Sequence, residues 1–122
     1  MRLLALSAAT LAIAVGVAPA AGAAKNPTAS QRAEIAESVA TPAVCLTIKV
    51  STARSGWASH TFHDSRSTRK QCARFGSNGV TLLQRSGKSW RQRWAGSDCP
   101  ARAPKNVPAA VWRDLTRGHC GR

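Results

Sequence analysis

Residues 80–95 read VTLLQRSGKSWRQRWA, and the way this stretch folds back on itself decides the architecture. Two runs rich in apolar and β-favouring residues flank Ser86-Gly87-Lys88, which is the composition of a β-hairpin and its turn. A three-residue loop at 86–88 sets Val80, Leu82 and Gln84 on one face with Trp90, Gln92 and Trp94. Thr81, Leu83, Arg85, Arg91 and Arg93 then share the other face. A two-residue loop at Ser86-Gly87 groups Val80 and Leu82 with Arg91 and Arg93 instead. A one-residue slip exchanges every side chain between faces, so the first register, which buries the indoles with valine and leucine, is the expected one. Leu83 is its misfit, and Lys88 stands where a glycine would suit the turn better.

Upstream, residues 43–52 alternate: Val44, Leu46, Ile48 and Val50 face one way, Cys45, Thr47, Lys49 and Ser51 the other. That period of two predicts a half-buried strand. Ser55-Gly56 is a turn, and residues 57–63 read as a second strand. Residues 64–71 (DSRSTRKQ) read as a polar, basic loop, followed by a short strand at 72–75. A helix over about 26–40 opens either with Asn26 capping ahead of Pro27 or with a Thr28–Gln31 capping box, and it ends before Pro42. Its apolar stripe, Ala33, Ala36 and Ala40 with Ile35 and Val39 nearby, is shallow. Downstream, a loop over 96–106 leads to a last helix with Pro108 in its first turn. Val107, Val111 and Leu115 recur every four residues there, and Gly118 is expected to end it. The fold class expected is therefore α+β: an antiparallel sheet of about four strands flanked by an N-terminal and a C-terminal helix.

Residues 1–23 carry one early cation, Arg2, then an apolar run to Val17 and small residues up to Ala23. This is the pattern of a secretory signal peptide, cleaved after Ala23 or Ala24, with Ala20 as the other small-residue site. The remainder, 24–122, is one small secreted domain with no segment long enough to span a bilayer, expected as a monomer. Its four cysteines, Cys45, Cys72, Cys99 and Cys120, allow three pairings once oxidised by export. Cys45–Cys72 and Cys99–Cys120 are favoured because each closes one local loop. No C-x2-C pair or cysteine–histidine cluster suggests zinc, and no cofactor motif is present.

The chain carries 18 Lys and Arg against 5 Asp and Glu, a formal net charge of +13. Such a field attracts polyanions such as nucleic acid or an anionic cell-envelope polymer, and it also keeps a small protein soluble. Arg85, Lys88, Arg91 and Arg93 on the outer hairpin face are the candidate anion-binding surface, extended by Arg69 and Lys70 and by Arg66 and Arg74 in the preceding loop. The four tryptophans, in a chain with two Phe and no Tyr, are expected in the core.

The final forty residues resemble small exported proteins of actinobacteria in which a Leu-Leu-x-Arg-Ser-Gly-x-x-Trp hairpin precedes Gly-Ser-x-x-Cys, Val-Pro-x-x-Val-x-x-Asp-Leu and a terminal cysteine. The matching residues are Leu82, Leu83, Arg85, Ser86, Gly87, Trp90, Gly96, Ser97, Cys99, Val107, Pro108, Val111, Asp114, Leu115 and Cys120. The resemblance implies an antiparallel sheet with flanking helices and a Cys99–Cys120 bridge, and it carries over no functional residue. Arg91 and Arg93 depart from it, standing where apolar residues are usual.

Catalytic chemistry has little to stand on. His60 and His63 are three apart and face opposite ways on a strand, and His119 sits in the tail. Glu34, Glu37, Asp64 and Asp114 show no arrangement that makes them converge with a histidine on one phosphate. The expectation is a secreted, non-enzymatic binding protein with a basic surface for an anionic partner: a cell-envelope polymer, nucleic acid or an acidic protein. A small secreted hydrolase such as a nuclease, or an inhibitor of a secreted enzyme, is the alternative.

Overall fold

The hairpin at the centre of the sequence pairs in a register that neither loop assignment anticipates. Ser86 faces Ser89, so the turn is Gly87-Lys88, with Gly87 at φ 64 in its first central position. Pairing then runs Arg85↔Trp90, Gln84↔Arg91 and Leu83↔Gln92, skips Arg93, and resumes at Leu82↔Trp94. The extra residue is a β-bulge, and it moves the second half of the strand to the opposite face. Trp90 therefore shares a face with Leu83, and Trp94 shares one with Leu82. The expected grouping of both tryptophans with Val80 and Leu82 is corrected accordingly.

The reason lies in the layers. The computed structural model describes residues 24–63, 65–76 and 79–120, and the expected export segment 1–23 lies outside them. Among the described residues, α1 (Ala29–Ser38), β1 (Leu46–Val50), β2 (Trp57–Phe62), α2 (Arg69–Cys72), β3 (Val80–Ser86), β4 (Ser89–Gly96) and α3 (Ala109–Cys120) follow in order. The strands form one antiparallel sheet in the order β1-β2-β3-β4. A helix covers each face, so consecutive residues of one strand can both be buried: Leu82 is 0% and Leu83 1% exposed. Ile35 of α1 packs on Leu46, Ile48, Val50, Ala58, Leu83 and Trp90. Val111, Trp112 and Leu115 of α3 pack with Val107 on Trp57, Val80 and Leu82. Trp94 closes that second core, its ring edge-on to Trp112 at 4.8 Å.

The shallow stripe of α1 is compensated by polar docking. Thr28 and Gln31 form the capping box, with bonds of 3.1 and 2.8 Å, and Ile35 is fully buried. Trp90 donates its indole N–H to Glu34 at 3.3 Å and its backbone N–H to Ser38 Oγ at 3.0 Å, fastening helix to sheet.

Three boundaries differ from the sequence reading. Residues 43–45 form a 3₁₀ turn, so β1 begins only at Leu46 and Val44 is 44% exposed. Residues 69–75 are helical turns, not loop and strand: α2 continues into a 3₁₀ turn at Ala73–Phe75. The cause is local and covalent. Thr68 and Ser65 bond each other and accept the first backbone donors, and Cys72 must reach Cys45. Last, α3 runs past Gly118 to Cys120. Both expected disulfides are present, Cys45–Cys72 with Cα atoms 5.4 Å apart and Cys99–Cys120 with 5.5 Å.

Candidate anion-binding notch

The loop between β1 and β2 is the first wall of the site. Ser51 N–H donates to the Trp57 carbonyl at 2.9 Å, and Ser51 Oγ accepts from the backbone N–H groups of Ala53 (3.1 Å) and Arg54 (3.3 Å). Asp114, 6% exposed on α3, reaches into the same loop. Its carboxylate accepts from Ser51 Oγ at 2.8 Å, Thr52 N–H at 2.6 Å, Thr52 Oγ1 at 3.3 Å and Ala53 N–H at 3.3 Å. A buried carboxylate needs such donors to offset its lost hydration. Here they also fix the loop that presents Arg54.

Opposite this loop stands the bulge of β4. Skipping one residue brings Arg93 over Gln84, whose Oε1 accepts from Arg93 Nε at 2.8 Å. Arg91 faces Gln84 directly across the ladder and so lies on that face too. The segment before α3 supplies Lys105 and Asn106. Together Arg54, Trp57, Gln84, Arg93, Lys105 and Asn106 line a shallow notch of about 370 Å³. Among the described residues, Arg54, Arg91, Arg93 and Lys105 have no acidic partner. Like charges gathered without counter-charge raise the local positive potential, and a bound anion relieves it.

The other candidate cations are placed elsewhere. Arg85 lies on the α1 face, donates to Glu34 at 3.1 Å and to the Gly87 carbonyl at 2.8 Å, and so is already paired. Lys88 is exposed in the hairpin turn. Arg69 and Lys70 sit on α2, beside the Cys45–Cys72 bridge at the opposite end of the sheet, with Arg66 and Arg74 on either side of that helix. The structure thus brings Arg91 and Arg93 together and separates them from Arg85, Arg69 and Lys70. Arg54 and Lys105 were not singled out from the sequence. Each lies in a loop, and only the closing of the β1–β2 turn and the docking of α3 juxtaposes them.

The candidate carboxylates do not converge. Glu34 serves the α1 side of the sheet and Asp114 the α3 side, while Asp64 lies outside the described residues. His63 is exposed, and its backbone N–H donates to the Cys45 carbonyl at 2.7 Å. His60 is buried on the α1 face, its ring edge-on to Phe62 at 5.4 Å. Burial holds the His60 imidazole below the ordinary histidine range, in its neutral form at pH 7. Among the described residues, no group of three His, Cys, Asp or Glu could hold a metal ion, and no helix is long and apolar enough to cross a membrane.

Comparison with protein-family models, with curated proteins and with solved structures found no match.

Proposed function

We propose that this protein is exported after loss of residues 1–23 and binds an anionic polymer, without chemistry, through the notch between the β1–β2 loop and the β4 bulge. The observation that carries the reading is the gathering of Arg54, Arg93 and Lys105 on one shallow cavity, beside Arg91, with no acidic partner among the described residues. Arginine suits the task because its planar fork pairs with two oxygens of a phosphate or carboxylate at once. Gln84 holds the Arg93 guanidinium at Nε and so leaves the other nitrogens of the fork for a ligand. An open depression suits one group of a polymer running across the surface better than a small molecule enclosed on all sides.

The experiment is a salt titration of binding to a labelled single strand of DNA and to lipoteichoic acid. Replacing Arg54, Arg93 and Lys105 by alanine is expected to lower the slope of log K against log salt by about 2 on the single strand. Replacing Arg69 and Lys70, at the far end of the sheet, leaves that slope within experimental error of the native one. Equal effects of the two sets would mean diffuse charge and no site. Gels run on the recovered strand distinguish binding from the alternative, a nuclease, which leaves it cut.

A further inference from the structure

On the other face of the sheet, α1 leaves part of the surface uncovered. The helix stops at Ser38, Ala40 turns the chain at φ 51, and Thr41 leads it away. Beyond that turn the sheet is left with an open cleft of about 410 Å³, roofed by Val39 and Thr41 and floored by His60, Phe62, Leu83 and Trp90. This is within the range of small-molecule sites, about 300–1,000 Å³.

Two properties distinguish the cleft from every other surface described above. No lysine, arginine, aspartate or glutamate lines it, although the chain carries 18 basic residues. And His60, 5% exposed in its floor, has a buried Nδ1 with no hydrogen-bond partner. An unmade hydrogen bond at a buried nitrogen costs about 1–3 kcal/mol, and such atoms are rare in folded proteins. Neutral imidazole offers one N–H and one lone pair, so it pairs with a hydroxyl or amide.

We propose that this cleft binds a compact, uncharged molecule with a flat apolar body and one hydroxyl or amide group, the body lying against Phe62 and Trp90 and the polar group bonded to His60 Nδ1 once the imidazole turns toward the cleft. Phe62, half-buried at the cleft, gives the ring face that such a body stacks on, with the edge of the buried Trp90 beside it. The absence of charge from the walls selects against ions, because an ion entering there loses hydration with nothing to replace it. The site is independent of the notch, which lies on the α3 side of the sheet.

The probe is 2-naphthol, compared with naphthalene, which has no donor, and with 2-naphthoate, which is an anion. Binding is read from the His60 imidazole nitrogen resonances and the Trp90 indole N–H resonance. The expected result is saturable shifts of both with 2-naphthol below about 1 mM. Naphthalene is expected to bind about tenfold more weakly for lack of the hydrogen bond. His60→Leu should abolish that tenfold preference while leaving the fold intact. Ala95→Phe, at an exposed position on the rim, should block 2-naphthol and naphthalene with His60 untouched. The proposal is overturned if 2-naphthol shifts neither resonance, if 2-naphthoate binds best, if the preference survives in His60→Leu, or if Ala95→Phe leaves binding unchanged.

Discussion

Two buried polar residues, His60 and Asp114, differ in how their burial is compensated, and each difference has a measurable consequence. His60 is neutral in the folded chain because desolvation disfavours its cation. The unfolded chain protonates at the ordinary value of about 6.5. Above that pH both states are neutral and the residue is silent. Below it the unfolded state takes up a proton that the folded state refuses, so stability falls until the lower folded pKa is reached. Urea titrations at stepped pH are expected to show native stability dropping below pH about 6.5 relative to His60→Leu, with the two curves parallel above it. Curves parallel throughout would mean that the imidazole charges freely in the fold. Asp114, by contrast, is fully engaged by the 51–53 segment. Asp114→Ala strands the Thr52 N–H and takes the shared acceptor from the Ser51 and Thr52 hydroxyls, and should cost about 3 kcal/mol in urea unfolding. Because the same bonds hold the loop that carries Arg54, the variant should also weaken polyanion binding, by no more than Arg54→Ala does. If it unfolds normally but binds like native protein, the loop does not need its anchor.

At the scale of elements, the end of α1 carries a local conflict. Ala40 N–H bonds the Glu37 carbonyl at 3.1 Å and Thr41 N–H bonds the Ala36 carbonyl at 3.1 Å, the pair of bonds of a Schellman cap. The residue at its left-handed position is alanine, at φ 51, where glycine has no steric penalty. Ala40→Gly is expected to stabilise the domain by about 0.5–1 kcal/mol, the left-handed penalty less the added freedom of the unfolded chain. A loss of stability measured by denaturant midpoint would refute this. The helix itself was legible in the sequence because Thr28, Gln31 and Pro42 signal its ends, and β1 was legible from the Leu46, Ile48, Val50 alternation. The hairpin was legible as a hairpin but not in register. Alternation assumes one buried face, whereas a bulge at Arg93 and a second helix layer let Leu82 and Leu83 both be core. The notch was illegible for the same reason that most sites are. Arg91 and Arg93 could be read from the strand, but Arg54 and Lys105 sit in loops 51 residues apart, and no local pattern records that two loops meet.

For the whole molecule, two thin cores share one sheet, and both are closed by bridges lying outside it. Cys45–Cys72 spans 27 residues and ties the start of β1 to α2, while Cys99–Cys120 spans 21 and ties the far end of α3 to the loop after β4. Each closure is worth about 3–4 kcal/mol by loop entropy, a large share of the 5–15 kcal/mol that holds a typical domain. Against them works the net charge, +13 over the chain. Self-repulsion on that scale opposes compaction and is screened by salt, with a Debye length of about 10 Å at 0.1 M. Salt should therefore act with opposite signs on the stability of the domain and on its proposed binding. It should raise the Tm of the free domain, by about 4–8 °C if screening recovers about 1 kcal/mol, while it weakens polyanion binding. Calorimetry on the free domain and on its polyanion complex over one salt series checks both together. A free-domain Tm that falls as salt rises would show that attractive surface ion pairs outweigh repulsion. The arginines would then be mutually compensated structure, and the unpaired cations of the notch would lose the electrostatic reason for taking a partner.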